Sequence, residues 1–375
     1  MNIVIEVNPL ISLYKTGITT YIDGLCRALL DQRSDHRFVL YGPDLWKDPF
    51  PEYDNKVFQG GRRVMRRTLE KVWKDLGVGG MGRDVDVYHA TFPALHAPRK
   101  RSDTKLVATV YDLAFAHYPE SVDSSGYFRT LMESMAAVAE QADAIVAISE
   151  STRRDVVTFL GVPEERVHVA YPGIDLVAPE DTEAFIRDSP YWKQFGIPER
   201  YILSVGTWEP RKNLPNLFRA LSLIADRLRQ EEIYVCMTGM KGWKYSEAEQ
   251  LIEELGIADR IKVLGHVPRG MLPTLYARAQ MFVYPSLFEG FGLPVTEAMI
   301  CGTPVITSNV SSLPEAGGDA ALLIDPHHPA EIASAILDLL DHPAKRLDMV
   351  ERGRRHGSCF SWDKVAQRHL EIYES

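Results

Sequence analysis

Cysteine is scarce and dispersed. Cys26, Cys236, Cys301 and Cys359 form no CxxC pair, so neither a zinc site nor a disulfide framework is signalled. A reducing cytoplasm is the expected compartment. Long apolar runs are missing as well. Nothing approaches the ~20 residues that cross a bilayer. The opening MNIVIEVNPLI has no basic stretch and soon meets Asn8-Pro9, so it reads as a first β-strand rather than a signal peptide. There is no basic excess: the formal net charge is −9, which argues against nucleic acid as the main partner. Short repeats and low-complexity tracts are also lacking.

What is present is an ordinary globular composition over 375 residues, 45% hydrophobic and 25% charged. That length is enough for two α/β domains. Short apolar runs alternate with longer helical patterns. In the first half the runs are Ile3–Val7, Phe38–Tyr41, Val85–His89, Leu106–Val110, Ala144–Ile148 and Val167–Ala170. In the second they are Tyr201–Val205, Ile233–Met237, Ile261–Leu264, Met281–Tyr284, Pro304–Thr307 and Ala321–Ile324. Helices are read at Ile18–Leu29, Tyr127–Gln141, Glu150–Leu160, Leu214–Leu228, Glu247–Leu255, Pro294–Cys301, Ala330–Leu340 and Trp362–Tyr373. Alternation of this kind implies βαβ units and parallel sheets. Two doubly wound, Rossmann-like domains are expected, with ligands at the carboxyl ends of the strands. The polar, proline-containing stretch Asp175–Pro198 is the expected boundary, giving domains at 1–187 and 188–357 and a terminal helix at 358–375 that returns to the first domain.

The most informative run is Ser286–Met299, SLFEGFGLPVTEAM. It follows an apolar strand and enters a helix at Pro294, where a first-turn proline is tolerated. A glycine-rich turn there presents backbone amides at a helix N-terminus, which suits an anion such as a diphosphate. Glu289 precedes the helix and Glu297 lies inside it, so two carboxylates can grip two distant hydroxyl sets of one long ligand. A strand-to-helix turn with two solvated glutamates is the plainer alternative.

The full string Tyr284–Pro304, YPSLFEGFGLPVTEAMICGTP, resembles the signature of glycosyltransferase family 4, whose members are retaining transferases with the two-domain GT-B fold. Its hallmark is a Glu, seven residues and a second Glu, met here by Glu289 and Glu297. Ser204–Leu217, Leu264–Tyr276 and Ser308–Pro326 resemble flanking segments of the family's donor domain, and Thr109–Pro119 and Ala144–Asp175 resemble its acceptor domain. The resemblance therefore runs through nearly the whole chain. It implies a metal-independent hexosyltransferase without a cofactor, whose co-substrate is a nucleotide-diphosphate sugar.

The resemblance also implies roles. Glu289 would bond hydroxyls of the donor sugar and Glu297 the ribose. The amides of Gly290, Phe291 and Gly292, with Leu293, would lie near the sugar or phosphates. Lys212 takes the place of the family's phosphate lysine. Thr207 stands where some members carry an upstream arginine, and Arg211 is the candidate for that role. Cations aimed at the departing diphosphate stabilise the charge that grows there. Gly17 belongs to the family's glycine-rich loop after the first strand; Thr19 replaces a frequent second glycine, and a plain helix cap is the alternative. Asp112 ends its strand where members often carry His-Asp, but here Tyr111 precedes it. Front-face attack, in which the leaving phosphate takes the acceptor's proton, requires no protein base. Tyr111, His89 and His117 are further acceptor or cleft candidates, although a lone histidine at a strand end is more often structural.

Asp84-Val85-Asp86 has the spacing that can hold a divalent metal, yet Asp86 leads straight into a strand, and a strand start is the favoured reading. Gly61–Gly82 is basic and aromatic; it is either a membrane-surface helix or a solvated one. Lipid-linked acceptors are common in the family. The segment Ser311–Pro326 resembles that of hexosyltransferases using GDP-sugars, so GDP-mannose or GDP-rhamnose is the expected donor and a UDP-hexose the alternative. By family analogy the product is a bacterial surface polysaccharide such as an O-antigen. A nucleotide-sugar epimerase and a non-catalytic sugar-nucleotide-binding subunit are the competing readings.

Overall fold

The computed structural model describes residues 1–11, 16–32, 35–42, 47–60, 85–92, 103–118, 127–178, 186, 189–240, 242 and 245–375. The chain divides into two compact units, Met1–Gly173 with Ser361–Ser375, and Ile174–Phe360.

The first unit holds a seven-stranded sheet of β1 (Asn2–Glu6), β2 (Arg37–Gly42), β3 (Lys56–Gly60), β4 (Val87–Ala90), β5 (Lys105–Val110), β6 (Ala144–Ala147) and β7 (Val167–Val169). Its order is β3-β2-β1-β4-β5-β6-β7, and every pairing is parallel. A parallel sheet is covered on both faces, so its inner strands are apolar without alternation. β5 shows this: Leu106 through Val110 are all buried. The core gathers Val4, Leu106, Ala108, Val138, Ile145 and Val156.

The terminal helix, Trp362–Glu374, is part of this unit and packs on the first helix, Gly17–Asp31. Ser361 starts it by accepting the Lys364 amide. The two helices approach closely at Gly24, where a Cβ would stand 2.2 Å from the Trp362 ring. Tyr21 meets the same indole edge-on at 5.8 Å.

The second unit holds β8 (Tyr201–Val205), β9 (Tyr234–Thr238), β10 (Ile261–Gly265), β11 (Met281–Tyr284), β12 (Val305–Ser308) and β13 (Leu322–Ile324). They are parallel and ordered β10-β9-β8-β11-β12-β13. Leu217, Phe218, Leu221, Val235, Val283 and Ile336 fill its core.

Several elements differ from the sequence reading. β3 was not anticipated; it is a half-exposed edge strand with little apolar signal. The span read as one helix over Leu214–Leu228 breaks at Ile224, which leaves helical dihedrals at φ −118° and ψ 14°. The break brings Ile224, Ala225 and Leu228 into the core while Leu223 stays exposed. The helix Pro343–Gly357 was also not anticipated. It buries only Met349, Gly353 and Gly357, and such a face carries no apolar stripe. The units part at Gly173/Ile174 and at Phe360/Ser361, whereas the sequence reading puts the boundaries at 187/188 and 357/358. Residues 61–82, Asp84 and most of 179–188 lie outside the described residues.

Candidate functional site

In the six-stranded sheet β8 and β11 are neighbours. The chain leaves β8 toward β9 on one side and β11 toward β12 on the other. Connections that depart in opposite directions open a crevice at the strands' carboxyl ends, where ligands of such sheets bind. The segment after β8 brings Glu209, Arg211 and Lys212 to this point, and the segment after β11 brings Glu289.

The four side chains form one network. Arg211 Nη1 donates to Glu289 Oε2 at 2.6 Å, and Lys212 Nζ to Glu289 Oε1 at 2.6 Å. Tyr284, the last residue of β11, donates its hydroxyl to the same Oε1 at 2.9 Å. Lys212 Nζ also donates to the Tyr284 oxygen at 2.6 Å. Arg211 Nη2 pairs with Glu209 Oε1 at 2.6 Å. Burial alone would raise the Glu289 carboxyl, but Arg211 and Lys212 overcome it and hold the group at about 2. Burial presses the Lys212 ammonium below its usual value, and Glu289 opposes that shift.

The backbone around the network is tightly fixed. Asn213 adopts a left-handed conformation, φ 57°, which asparagine tolerates better than most residues. Its amide donates to the carbonyls of Pro285 at 3.1 Å and Pro326 at 2.7 Å, tying the β8, β11 and β13 loops together. The Leu287 amide donates to the Arg211 carbonyl at 2.7 Å. Ser312 Oγ donates to the Glu289 carbonyl at 2.8 Å, and Ser311 Oγ accepts the Glu289 amide at 3.1 Å.

Gly290, Phe291 and Gly292 then lead into the helix Leu293–Ile300, with Gly292 as its cap at φ 104°. That dihedral favours glycine, and a Cβ there would also lie 2.8 Å from Leu313 Cδ2. The Phe291 ring is buried edge-on against Phe360 at 5.1 Å. Glu297 lies within the helix, buried. Burial lifts its carboxyl to about 7, against the charge of Arg269 and a hydrogen bond from Tyr276 Oη at 3.2 Å. Glu209, Arg269, Tyr276, Tyr284 and the Ser311-Ser312 pair were not singled out in the sequence. Tyr284 and Glu209 carried a signal in their positions, since each borders a strand or a basic pair.

The remaining sequence candidates belong to the first unit. Gly17 opens the first helix, and Thr16 caps it. Thr16 and Thr19 bond reciprocally, the Thr19 amide to Thr16 Oγ1 at 3.3 Å and the Thr16 amide to Thr19 Oγ1 at 2.7 Å. Thr19 thus completes a capping box. Asp112 Oδ1 accepts the Ala114 amide at 3.1 Å, and Tyr111 meets the Tyr21 ring edge-on at 5.5 Å. His117 Nε2 lies 3.0 Å from Asp155 Oδ1.

His89 requires a correction. It is fully buried, with Nδ1 2.7 Å from the Tyr373 hydroxyl and Nε2 2.7 Å from Thr109 Oγ1. Burial pushes its pKa well down. Both ring nitrogens are committed, so it is a core histidine joining the terminal helix to the sheet, not a cleft residue. Asp86 likewise accepts the Asn2 amide at 2.6 Å, as a strand-start residue does. Among the described residues, no group of three or more His, Cys, Asp or Glu has metal-binding proximity. No helix among them is long and apolar enough to cross a membrane.

Residues 15–178 match the family model described as Glycosyltransferase Family 4, and residues 192–356 match Glycosyl transferases group 1. The chain is 32% identical over 388 residues to O-antigen chain mannosyltransferase B of Escherichia coli, covering 100% of both. It is 27% identical over 406 residues to the serotype-specific mannosyltransferase WbdA of Escherichia coli, covering 99% of this chain and 47% of WbdA. Among solved structures, sucrose-phosphate synthase of Thermosynechococcus elongatus is 20% identical with a TM-score of 0.75, covering 100% of this chain and 98% of that one. With both units matched to these family models and a relative aligned end to end, the chain belongs to the glycosyltransferases of family 4 and has their GT-B fold.

Proposed function

We propose that this protein is a retaining, metal-independent hexosyltransferase that moves mannose from GDP-mannose to a glycan acceptor in surface polysaccharide synthesis. The observation that carries the reading is the pair Arg211 and Lys212, both 2.6 Å from Glu289, at the switch point of the six-stranded sheet. Before a donor arrives, two cations there are balanced by Glu209 and Glu289. Lys212 spends one N–H on Glu289 and one on Tyr284, and an ammonium has three. A third is left for a diphosphate oxygen.

In the reaction, the bond between the anomeric carbon and the β-phosphate oxygen breaks, and the acceptor oxygen bonds to that carbon. The acceptor proton passes to the departing phosphate. Lys212 and Arg211 stabilise the charge that builds on the leaving group, in place of a divalent metal. Glu289, held ionised, accepts sugar hydroxyls, and Glu297 the ribose. Gly290, Phe291, Gly292 and Leu293 present amides to the sugar and phosphates. Gly17, Asp112, Tyr111 and His117 are the first unit's candidates for substrate contacts in this reading. The mannosyl donor rests on the two Escherichia coli relatives, whose names state that chemistry. Action in the cytoplasm, a lipid-linked acceptor and membrane-surface contact through residues 61–82 belong to the same proposal.

The test is a panel of GDP-, UDP- and dTDP-sugars, read by thermal shift and then by transfer to saccharides with and without EDTA. A GDP-sugar should give the largest shift, EDTA should leave the rate unchanged, and the product should keep the donor's anomeric configuration. A preferred UDP-sugar would sink the donor assignment. Isomerisation of the donor without acceptor would point to an epimerase and reject transfer.

A further inference from the structure

The first sheet has its own switch point, between β1 and β4, where the connections again depart in opposite directions. Glu6 is the last residue of β1, and its side chain is used by nothing described so far. It is only 8% exposed. Its backbone is fixed: the Glu6 carbonyl accepts Thr91 Oγ1 at 2.7 Å, at the point where β4 ends. Among the described residues its carboxyl is met, in contrast, only by the Phe92 amide.

A carboxyl group offers two oxygens with about four acceptor sites, and a proton to donate when neutral. Holding such a group at 8% exposure, with one backbone amide as its partner among the described residues, costs stability. An apolar residue at the end of β1 would serve the sheet better. A polar side chain at the end of the sheet where ligands enter calls for a reason outside the fold.

The neighbouring groups are neutral. Tyr88 on β4 and Tyr111, just beyond β5, lie close enough for the Glu6 charge to raise them further after burial has done so. Tyr41 borders Tyr88, and Cys26 and Tyr21 border Tyr111. Among the described residues no cation offsets the Glu6 carboxyl, and burial pushes it up to about 8. The Tyr111 hydroxyl is itself buried without a partner among the described residues. Two strands apart, at the end of the sheet where ligands enter, these two polar groups thus have hydrogen-bonding capacity that the described residues do not fill.

We propose that Glu6, together with the nearby Tyr111 hydroxyl, binds a hydroxyl group of the saccharide acceptor in the first unit. A neutral sugar hydroxyl both donates and accepts, which matches a carboxyl and a phenol without bringing a charge into a buried place. The inference rests on the transferase reading for the identity of the ligand.

The test reads saccharide binding rather than turnover, so the two readings fail separately. The full-length protein, saturated with the nucleoside diphosphate that the donor panel selects, is titrated calorimetrically with mannose- and glucose-terminated trisaccharides. Glu6→Leu should weaken the better ligand by at least about tenfold, Tyr111→Phe by roughly threefold to tenfold, and Glu6→Gln by less than about threefold, because an amide still donates and accepts. Urea unfolding of Glu6→Leu and Glu6→Gln checks that both are folded. Unchanged affinity in Glu6→Leu and Tyr111→Phe would overturn the proposal, as would the absence of any saccharide binding by the native protein. Loss of sugar transfer from every donor, with saccharide binding intact, would instead count against the transferase reading alone.

Discussion

Glu6 and Glu289 stand at the switch points of two sheets with the same central strand order, and both are buried to the same degree. Their carboxyls are driven in opposite directions, to about 8 and to about 2. Burial raises both. What differs is the company: Arg211, Lys212 and Tyr284 surround Glu289, while among the described residues Glu6 has one backbone amide and neutral phenols. Topology supplies a crevice in each unit, and a few side chains decide whether it is charged or neutral. In our reading the charged one receives a diphosphate and the neutral one an uncharged sugar.

The strongest way to break this comparison is to remove a charge from one side and a polar group from the other. Lys212→Ala should lower kcat by about 10²–10³-fold, the usual effect of losing one donor to a developing anion, with little loss of acceptor affinity. A variant with full turnover would contradict the role given to Lys212. His89→Leu is the counterpart in the first unit. It strands the Tyr373 and Thr109 hydroxyls, so unfolding free energy should fall by about 2–4 kcal/mol, while kcat at a temperature where the variant is folded stays within about threefold. A large loss of kcat in the folded variant would return His89 to the site.

Acid and base sharpen the contrast further. The folded state holds the Glu6 proton up to about 8, against an ordinary 4.5. Its contribution to stability is therefore full below about 4.5 and is lost as pH rises through 8. Glu289 works in the other sense: its contribution is present above 4.5 and is lost as pH falls toward about 2. Glu6→Gln should gain stability over the native protein on going from pH 5 to pH 9, by up to a few kcal/mol. Equal unfolding curves across that range would show that Glu6 is solvated. Glu297, lifted to about 7, predicts nucleotide affinity that rises between pH 6 and 8 as the carboxylate forms, and Glu297→Gln should flatten that profile. The smallest expected effect is at the first helix, where Thr16→Ala should cost about 1 kcal/mol and leave nucleotide affinity unchanged.

Much of this was legible in the sequence because parallel strands buried on both faces announce themselves as apolar runs. The PRKN and FEGFG segments point to Arg211, Lys212 and Glu289, and the fold brings the three together. What stayed hidden has physical reasons. Glu6 sits within an apolar strand and has no pattern of its own. The sequence leaves His89 open between a cleft and a structural role because its partners, Thr109 and Tyr373, are 20 and 284 residues away. The helix Pro343–Gly357 packs through two glycines and a methionine, which no periodicity reveals. Glu209 is recognisable only once the Arg211 fork is seen to point both ways.

The central claim is that Arg211 and Lys212 hold a diphosphate at the end of β8. It is tested most directly by calorimetric titration of a nucleoside diphosphate and of its bare nucleoside into the native protein and into Lys212→Ala. The account predicts that the variant binds the diphosphate at least about tenfold more weakly, near 1.4 kcal/mol, while its affinity for the nucleoside is unchanged. Equal affinity of the two proteins for the diphosphate would contradict it.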